Sequence, residues 1–326
     1  MSLGVAGDRG RQSTPRRCAV LVMAYGGPRN LDEVEPFLRD ILEGREPSPQ
    51  MVEAARERYR LIGGRSPLPE VTEAQARALE ARLNEGREDA PFRVYVGMRH
   101  SAPRIADVVA RIAADGFRRV VALCLTPQYS RLSVGAYFRQ VAEAQRRVRP
   151  GFARVTHIPC WHLHPLFLQA LAASVREALG RFPDGQRGTV QVVFTAHSLP
   201  MPPMVAGDPY EAQVRATARA VAARAALGAE AWHLAYQCAG GGPTPWLGPS
   251  LEDVLTRLAH ASKRQVLVVP VGYVADSAEI LYDIDIACQE LAQRHGMRLE
   301  RTASLNAAPG LIAALADLVG REAFRT

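Results

Sequence analysis

Lysine is nearly missing from this chain: Lys263 is the only one among 40 lysine and arginine residues, so the cationic excess is arginine. There is no GxGxxG after the first apolar run and no GxxxxGK[ST] anywhere, which removes the glycine-cradled phosphate sites of dinucleotide-binding and P-loop proteins. Gly240-Gly241-Gly242-Pro243 reads as a flexible turn instead. The five cysteines, Cys18, Cys124, Cys160, Cys238 and Cys288, are odd in number and scattered without a CxxC. That pattern argues against a disulfide framework and against a zinc knuckle. No apolar run approaches the roughly 20 residues that span a bilayer, and residues 1–17 lack the apolar stretch of a secretory signal. The expectation is a soluble, cytoplasmic protein without a transmembrane segment, whose Arg-rich opening, Asp8 to Arg17, is a disordered tail.

With 48% hydrophobic residues in 326, the chain can bury two ordinary cores. The formal charge of +7 is compatible with nucleic acid, an anionic membrane face or an acidic small molecule. The arginines are spread along helical stretches such as Ala142 to Arg149, and only an acidic small molecule finds supporting residues; no nucleic-acid partner is expected. Apolar runs alternate with helical patterns, as in parallel α/β proteins. Four runs fall in the first half (Cys18 to Met23, Arg93 to Gly97, Val120 to Leu125, Ala153 to Ile158) and four in the second (Thr189 to Phe194, Trp232 to Tyr236, Gln265 to Pro270, Leu299 to Ala303). Between them lie helical patterns such as Val71 to Asn84, Ile105 to Ala114, Tyr210 to Ala225 and Ala308 to Val319. Corresponding strands of the two halves run into similar polar loops, so the halves look like a repeat. The fold expected is α/β, two similar Rossmann-like domains over 18–165 and 166–326, each a four-stranded parallel sheet flanked by helices. The last helix is free to pack back on the first domain. Ligands of open α/β sheets bind beyond the carboxyl ends of the strands, which places the cleft between the two domains.

Two segments carry chemistry. In Val193 to Pro200 and in Val271 to Glu279 an apolar strand ends in a polar loop that carries a group able to bind metals or protons, His197 in the first and Glu279 in the second. Asp276, Glu279, Asp283 and Glu290 follow at helical spacings and predict an acidic stripe along one face. Acids in a first helical turn also complement the macrodipole, by about 0.3–1 kcal/mol each. Beside an imidazole on a facing loop, the same stripe reads as a route for metal or protons, since imidazole suits divalent iron and carboxylates escort cations and accept protons. His157, His162 and His164 near Trp161 suggest a second metal site, although core or solvated histidines are the commoner reading.

The residues at these positions resemble the ferrochelatase family over nearly the whole chain. The resemblance is carried by Leu21 to Pro28, Arg58 to Leu68, Thr126 to Ser130, Ala196 to Pro200, Gly207 to Tyr210, Tyr236-Gln237, Pro245 to Pro249 and Ser304 to Pro309, in family order and spacing. It implies a class II chelatase-like fold and insertion of Fe2+ into a porphyrin in haem biosynthesis, a lyase reaction forming nitrogen–metal bonds. It also implies that His197 and Glu279 are the catalytic and metal-site residues, with Asp283 a weaker relay. Tyr25 in its glycine turn resembles the coproporphyrin III ferrochelatases, where that tyrosine ligates the product iron axially. By motif position Arg58, Tyr59, Ser66 and Tyr137 contact the porphyrin, and His100 is a weaker member of that set. Porphyrin and Fe2+ are the implied partners, with transient contact to other haem-pathway enzymes; iron is a substrate, no cofactor is permanently bound, and no Fe-S cluster is expected.

Three residues depart from the pattern: Leu42 stands where coproporphyrin-type relatives carry an arginine, Ala287 interrupts the acidic series, and Cys238 replaces a common serine. The alternatives are a protoporphyrin IX ferrochelatase, a cobalt chelatase, whose usual His-rich metal site is missing here, and a haem-binding protein without chemistry, which would need Tyr25 but not the acids.

Overall fold

The first strand, β1 (Cys18–Ala24), is apolar on both faces, with Cys18, Val20, Val22 and Ala24 on one side and Ala19, Leu21 and Met23 on the other. Side chains alternate across a strand, so a strand buried on both faces belongs inside a sheet with helices above and below. A computed structural model of the chain, which describes residues 17–148, 151–201, 207–239 and 244–325, places it there. The segment before Arg17, which holds most of the expected tail, and the Gly240-to-Pro243 turn lie outside the described residues. β1 pairs in parallel with β2 (Phe92–Met98) and β3 (Arg119–Cys124), and β4 (Arg154–Ile158) extends the sheet to the order β2-β1-β3-β4. A second parallel sheet of β5 (Gln191–His197), β6 (Trp232–Gln237), β7 (Gln265–Pro270) and β8 (Arg298–Arg301) has the order β6-β5-β7-β8. The two orders are the same pattern, and the repeat expected from the loops is present as topology.

Helices supply the connections. α1 (Val34–Ile41), α2 (Pro49–Leu61) and α3 (Leu68–Asn84) lie between β1 and β2; α4 (Ile105–Ala114), α5 (Val134–Val148) and α6 (Pro165–Leu179) follow β2, β3 and β4. In the second half α7 (Tyr210–Arg224) and α8 (Leu251–His260) follow β5 and β6, a π-helix Glu279–Cys288 running into α9 (Gln289–Arg294) follows β7, and α10 (Pro309–Ala323) comes last. Local chemistry starts several of them: Ser48 Oγ accepts from Met51 N at 3.2 Å with Pro49 behind it, and Ser250 and Asp253 form a reciprocal capping box on α8.

Both sheets turn one face to a common core. Val20, Val22 and Leu123 of the first sheet and Phe194, Leu267 and Val269 of the second meet side chains of α3, α6, α7 and α10 there. The outer face of the first sheet packs on α4 and α5, and that of the second on α8, the π-helix and α9. α10 lies against α3 and α6, burying Leu311, Leu315 and Val319 in the shared core. A polar seam also joins the halves: Gln128, after β3, donates from Nε2 to Thr217 Oγ1 and to the Val271 carbonyl, both at 3.1 Å. Ser130 Oγ donates to Asp208 Oδ2 at 3.0 Å. No helix among the described residues is long and apolar enough to cross a membrane.

The strand boundaries differ from expectation where polar residues stay in the ladder. β5 starts at Gln191 and continues past Phe194, because Ala196 and His197 still pair with Tyr236 and Gln237 of β6. His197 is therefore the last residue of a strand.

Candidate active site

Tyr25 leaves β1 on a turn that only glycine permits. Gly26 has φ +92°, and a Cβ there would collide with Ser101 Oγ, while Gly27 N donates to the same oxygen at 3.2 Å. The Tyr25 ring rests on the His100 ring at 4.5 Å and meets Phe37 edge-on at 6.2 Å. His100, expected as a weaker porphyrin contact, is buried behind this tyrosine, with Nδ1 2.7 Å from Asp40 Oδ2. Arg104 holds the other oxygen of Asp40 at 2.8 Å. Burial pushes the Tyr25 phenol up to about 12, opposed by Arg99 and reinforced by Glu279 of the second half and by Asp40. The phenol is therefore protonated in the free protein.

His197 is fixed from several sides. Tyr210 Oη, at the start of α7, donates to the His197 carbonyl at 2.9 Å, and Ser198 N donates to the Gln237 carbonyl at 2.7 Å. After β7 the chain crosses so close to β5 that a Cβ on Gly272 would lie 2.7 Å from Ala196 Cβ. Glycine at that position lets the next residue, Tyr273, bring its hydroxyl to 3.3 Å from His197 Nδ1. Burial lowers the pKa of His197, opposed by the negative charges of Glu279 and Asp283. The imidazole is neutral at neutral pH, with two carboxyl groups near enough to act on it.

The acidic stripe needs correction, because its α-helical period does not describe the segment that carries it. Glu279 opens a π-helix, whose wider turn buries Ile280, Ile284 and Cys288 at every fourth position and leaves Glu279 and Asp283 half-buried, with charges that act on His197. Asp276 lies before that helix and is taken up by Ser304 Oγ at 2.7 Å and Asn306 Nδ2 at 2.9 Å, with Arg301 at 3.6 Å. Glu290 is exposed on α9. Gln237 Nε2 donates to the Glu279 carbonyl at 3.2 Å, tying the helix start to the end of β6. Burial raises the pKa of Asp283, against which act Arg58 and a hydrogen bond from Cys238 at 2.8 Å.

Arg58 reaches across from α2 to pair with Asp283 and lies 4.6 Å over the Tyr282 ring, so it bridges the two halves. Tyr59 is half-buried; burial raises its phenol pKa, with Glu279 adding to the shift. Two other residues expected at the porphyrin rim lie deeper. Tyr137 is only 3% exposed beneath the Arg99 guanidinium, 5.6 Å away, and Ser66 is 5% exposed, its N–H donating to the Pro28 carbonyl at 2.8 Å. The three histidines near Trp161 do not assemble: His157 packs on Phe138 at 4.3 Å and His164 Nε2 lies 2.8 Å from Asp317. Among the described residues no three of His, Cys, Asp and Glu form a ready-made cage for an ion. Sequence reasoning did not single out Tyr273 or the Arg58–Asp283 bridge, because nothing in the local pattern says that these residues meet.

A family model described as ferrochelatase matches residues 17–323. The chain belongs to the ferrochelatase family. It is 43% identical over 305 residues to a ferrochelatase of Deinococcus radiodurans, covering 93% of this chain and 95% of that one. It is 39% identical over 306 residues to a coproporphyrin III ferrochelatase of Geobacillus kaustophilus, covering 93% and 95%. A sirohydrochlorin chelatase of Bacillus subtilis subspecies spizizenii, solved with cobalt, superposes with a TM-score of 0.56 at 12% identity, covering 94% of this chain and 95% of that one. That likeness speaks for the chelatase fold alone. As a ferrochelatase the enzyme inserts Fe2+ into a porphyrin in haem biosynthesis, and porphyrin and iron are its substrates.

Proposed function

We propose that the porphyrin is coproporphyrin III and that it is metallated between Tyr25 on one half and His197 with Glu279 on the other. The observation that carries this reading is the reach of Glu279, whose charge acts on Tyr25 and Tyr59 of the first half and on His197 of the second. A flat macrocycle placed there has a phenol toward one face and an imidazole and a carboxylate toward the other. Two pyrrole N–H protons must leave as iron enters. Neutral His197 and the Glu279 carboxylate are the groups able to accept them or to hand over the metal, with Asp283 one turn further along the π-helix. Tyr25 then meets the iron of the product from the opposite face.

The four propionates of coproporphyrin III call for cations and hydroxyls at the rim. Arg58 and Tyr59 supply them, backed by the more deeply set Ser66 and Tyr137, and Arg58 has donors enough to meet a propionate while it keeps Asp283. Leu42 removes one expected cation. A charge-assisted contact contributes roughly 1.5–3 kcal/mol, so losing one of several weakens binding without reversing the preference. A relative at 39% identity carries the coproporphyrin III name. The reading places the reaction in the cytoplasm, with iron as substrate and no resident cofactor. Rates of Fe2+ insertion into coproporphyrin III and protoporphyrin IX, measured side by side at low and high salt, test it. We expect a higher kcat/KM for coproporphyrin III. Faster metallation of protoporphyrin IX at every ionic strength overturns the assignment.

A further inference from the structure

We propose that Tyr273 and Cys238 are positioning residues that set the tautomer of His197, with the proton on Nδ1 and the lone pair on Nε2. The inference rests on reading His197 as the imidazole that meets the macrocycle.

Five groups stand in a row. Tyr273 Oη is 3.3 Å from His197 Nδ1, Cys238 Sγ is 3.9 Å from Tyr273 Oη and 2.8 Å from Asp283 Oδ2, and Arg58 occupies Asp283 Oδ1. Their hydrogens can be counted from the far end. A guanidinium only donates, so Asp283 accepts on Oδ1, and the positive charge of Arg58 favours the ionised carboxylate against its burial. An ionised carboxylate has no hydrogen to give, so the single S–H hydrogen of Cys238 goes to Oδ2. Sγ is left as an acceptor, and it and His197 Nδ1 are the two acceptors within reach of the one hydroxyl hydrogen of Tyr273. In the proposed row that hydrogen goes to Sγ, Tyr273 Oη offers His197 only lone pairs, and Nδ1 is the donor. A neutral imidazole carries one N–H, so Nε2 is bare.

Chemistry follows from that assignment. A bare Nε2 can bind iron or take a pyrrole proton; an Nε2 already bearing hydrogen can do neither. The backbone holds the row in place at two points. Gly272 allows the chain leaving β7 to pass against Ala196, and Cys238 turns off β6 at φ +60°, a conformation few residues other than glycine adopt.

The test uses the full chain labelled with 15N-histidine, in long-range 1H–15N spectra at mildly alkaline pH. The signals of His197 are identified among the eight histidines by their loss in His197→Gln. Wild type is expected to show a protonated Nδ1 and a bare Nε2. Tyr273→Phe is expected to move His197 toward the Nε2–H form and to lower kcat for iron insertion on the order of tenfold, with KM for porphyrin unchanged. Cys238→Ala frees the Tyr273 hydrogen to turn toward Nδ1 and has the same effect, whereas Cys238→Ser keeps the donor and the acceptor and restores the wild-type spectrum and rate. An Nε2–H tautomer in wild type overturns the proposal and needs no variant to fold. So does a Tyr273→Phe protein with wild-type spectrum and kcat, or a Cys238→Ser protein that behaves as Cys238→Ala. If the tautomer is as stated but His197→Gln inserts iron at the wild-type rate, the role given to His197 fails and the positioning stands.

Discussion

At the scale of single residues, the site joins an imidazole that burial keeps neutral to a carboxylate that opposes this effect. The pKa of His197 lies below its ordinary value of 6.5, and Glu279 pulls it upward. If neutral His197 is the working form, kcat/KM falls on the acid side with a midpoint below 6.5. Glu279→Gln removes the upward pull, so its acid limb shifts to still lower pH. The same change removes a proton acceptor and is expected to slow iron insertion by about a hundredfold or more, the range of general acid–base groups. Both effects are read from one pH–rate profile of wild type and variant. An acid limb that moves to higher pH in Glu279→Gln contradicts the sign of the interaction. His197 and Glu279 were legible as candidates because one closes an apolar strand and the other opens the helix after another, each inside a family motif. Tyr273 was not, and Cys238 stood out only as a departure from the family pattern, since each matters only through a neighbour from another strand.

At the scale of elements, the π-helix decides which carboxylates lie near enough to act on His197. Its apolar positions Ile280, Ile284 and Cys288 enter the outer core of the second sheet, and this anchoring holds Glu279 and Asp283 in place. Ile284→Ala is therefore expected to cost about 2–5 kcal/mol of stability, seen in denaturant unfolding, and to reduce turnover of the folded fraction. Ile112→Ala, equally buried against the first sheet on α4, is expected to cost a similar amount while leaving turnover of the folded enzyme near wild type. Equal turnover in the two folded variants would separate the π-helix packing from the chemistry. The eight strands were readable from apolar runs, most cleanly β1, β3, β5 and β7, which are buried on both faces and have no polar side to interrupt them. The helix type was not, because acids three and four apart fit an α-helix on sequence alone.

Over the whole molecule, the two sheets turn toward one shared core, and α10 at the end of the chain closes it against α3 and α6. The carboxyl ends of β1 and β5 then carry Tyr25 and His197, and the Arg58–Asp283 pair spans the halves. The net charge of +7 acts on this scale too. A tetra-anionic substrate gains more from it than one with two propionates, and salt screens that gain over about 10 Å at ordinary ionic strength. The preference for coproporphyrin III over protoporphyrin IX should therefore narrow as salt is raised. A preference independent of salt would assign it to contacts other than charge.

The sequence by itself determined the alternation of strands and helices, the repeat between the halves and the motif positions of the site, because burial periodicity and turn chemistry are local properties. Only the tertiary structure decided which polar residues became seam and which became site. Gln128 and Asp208 stand in motifs as marked as that of His197, yet they join the halves, while His100 supports Tyr25 from behind. Their roles depend on partners 60 or more residues away, and hydrogen bonds over such separations leave no period in the chain.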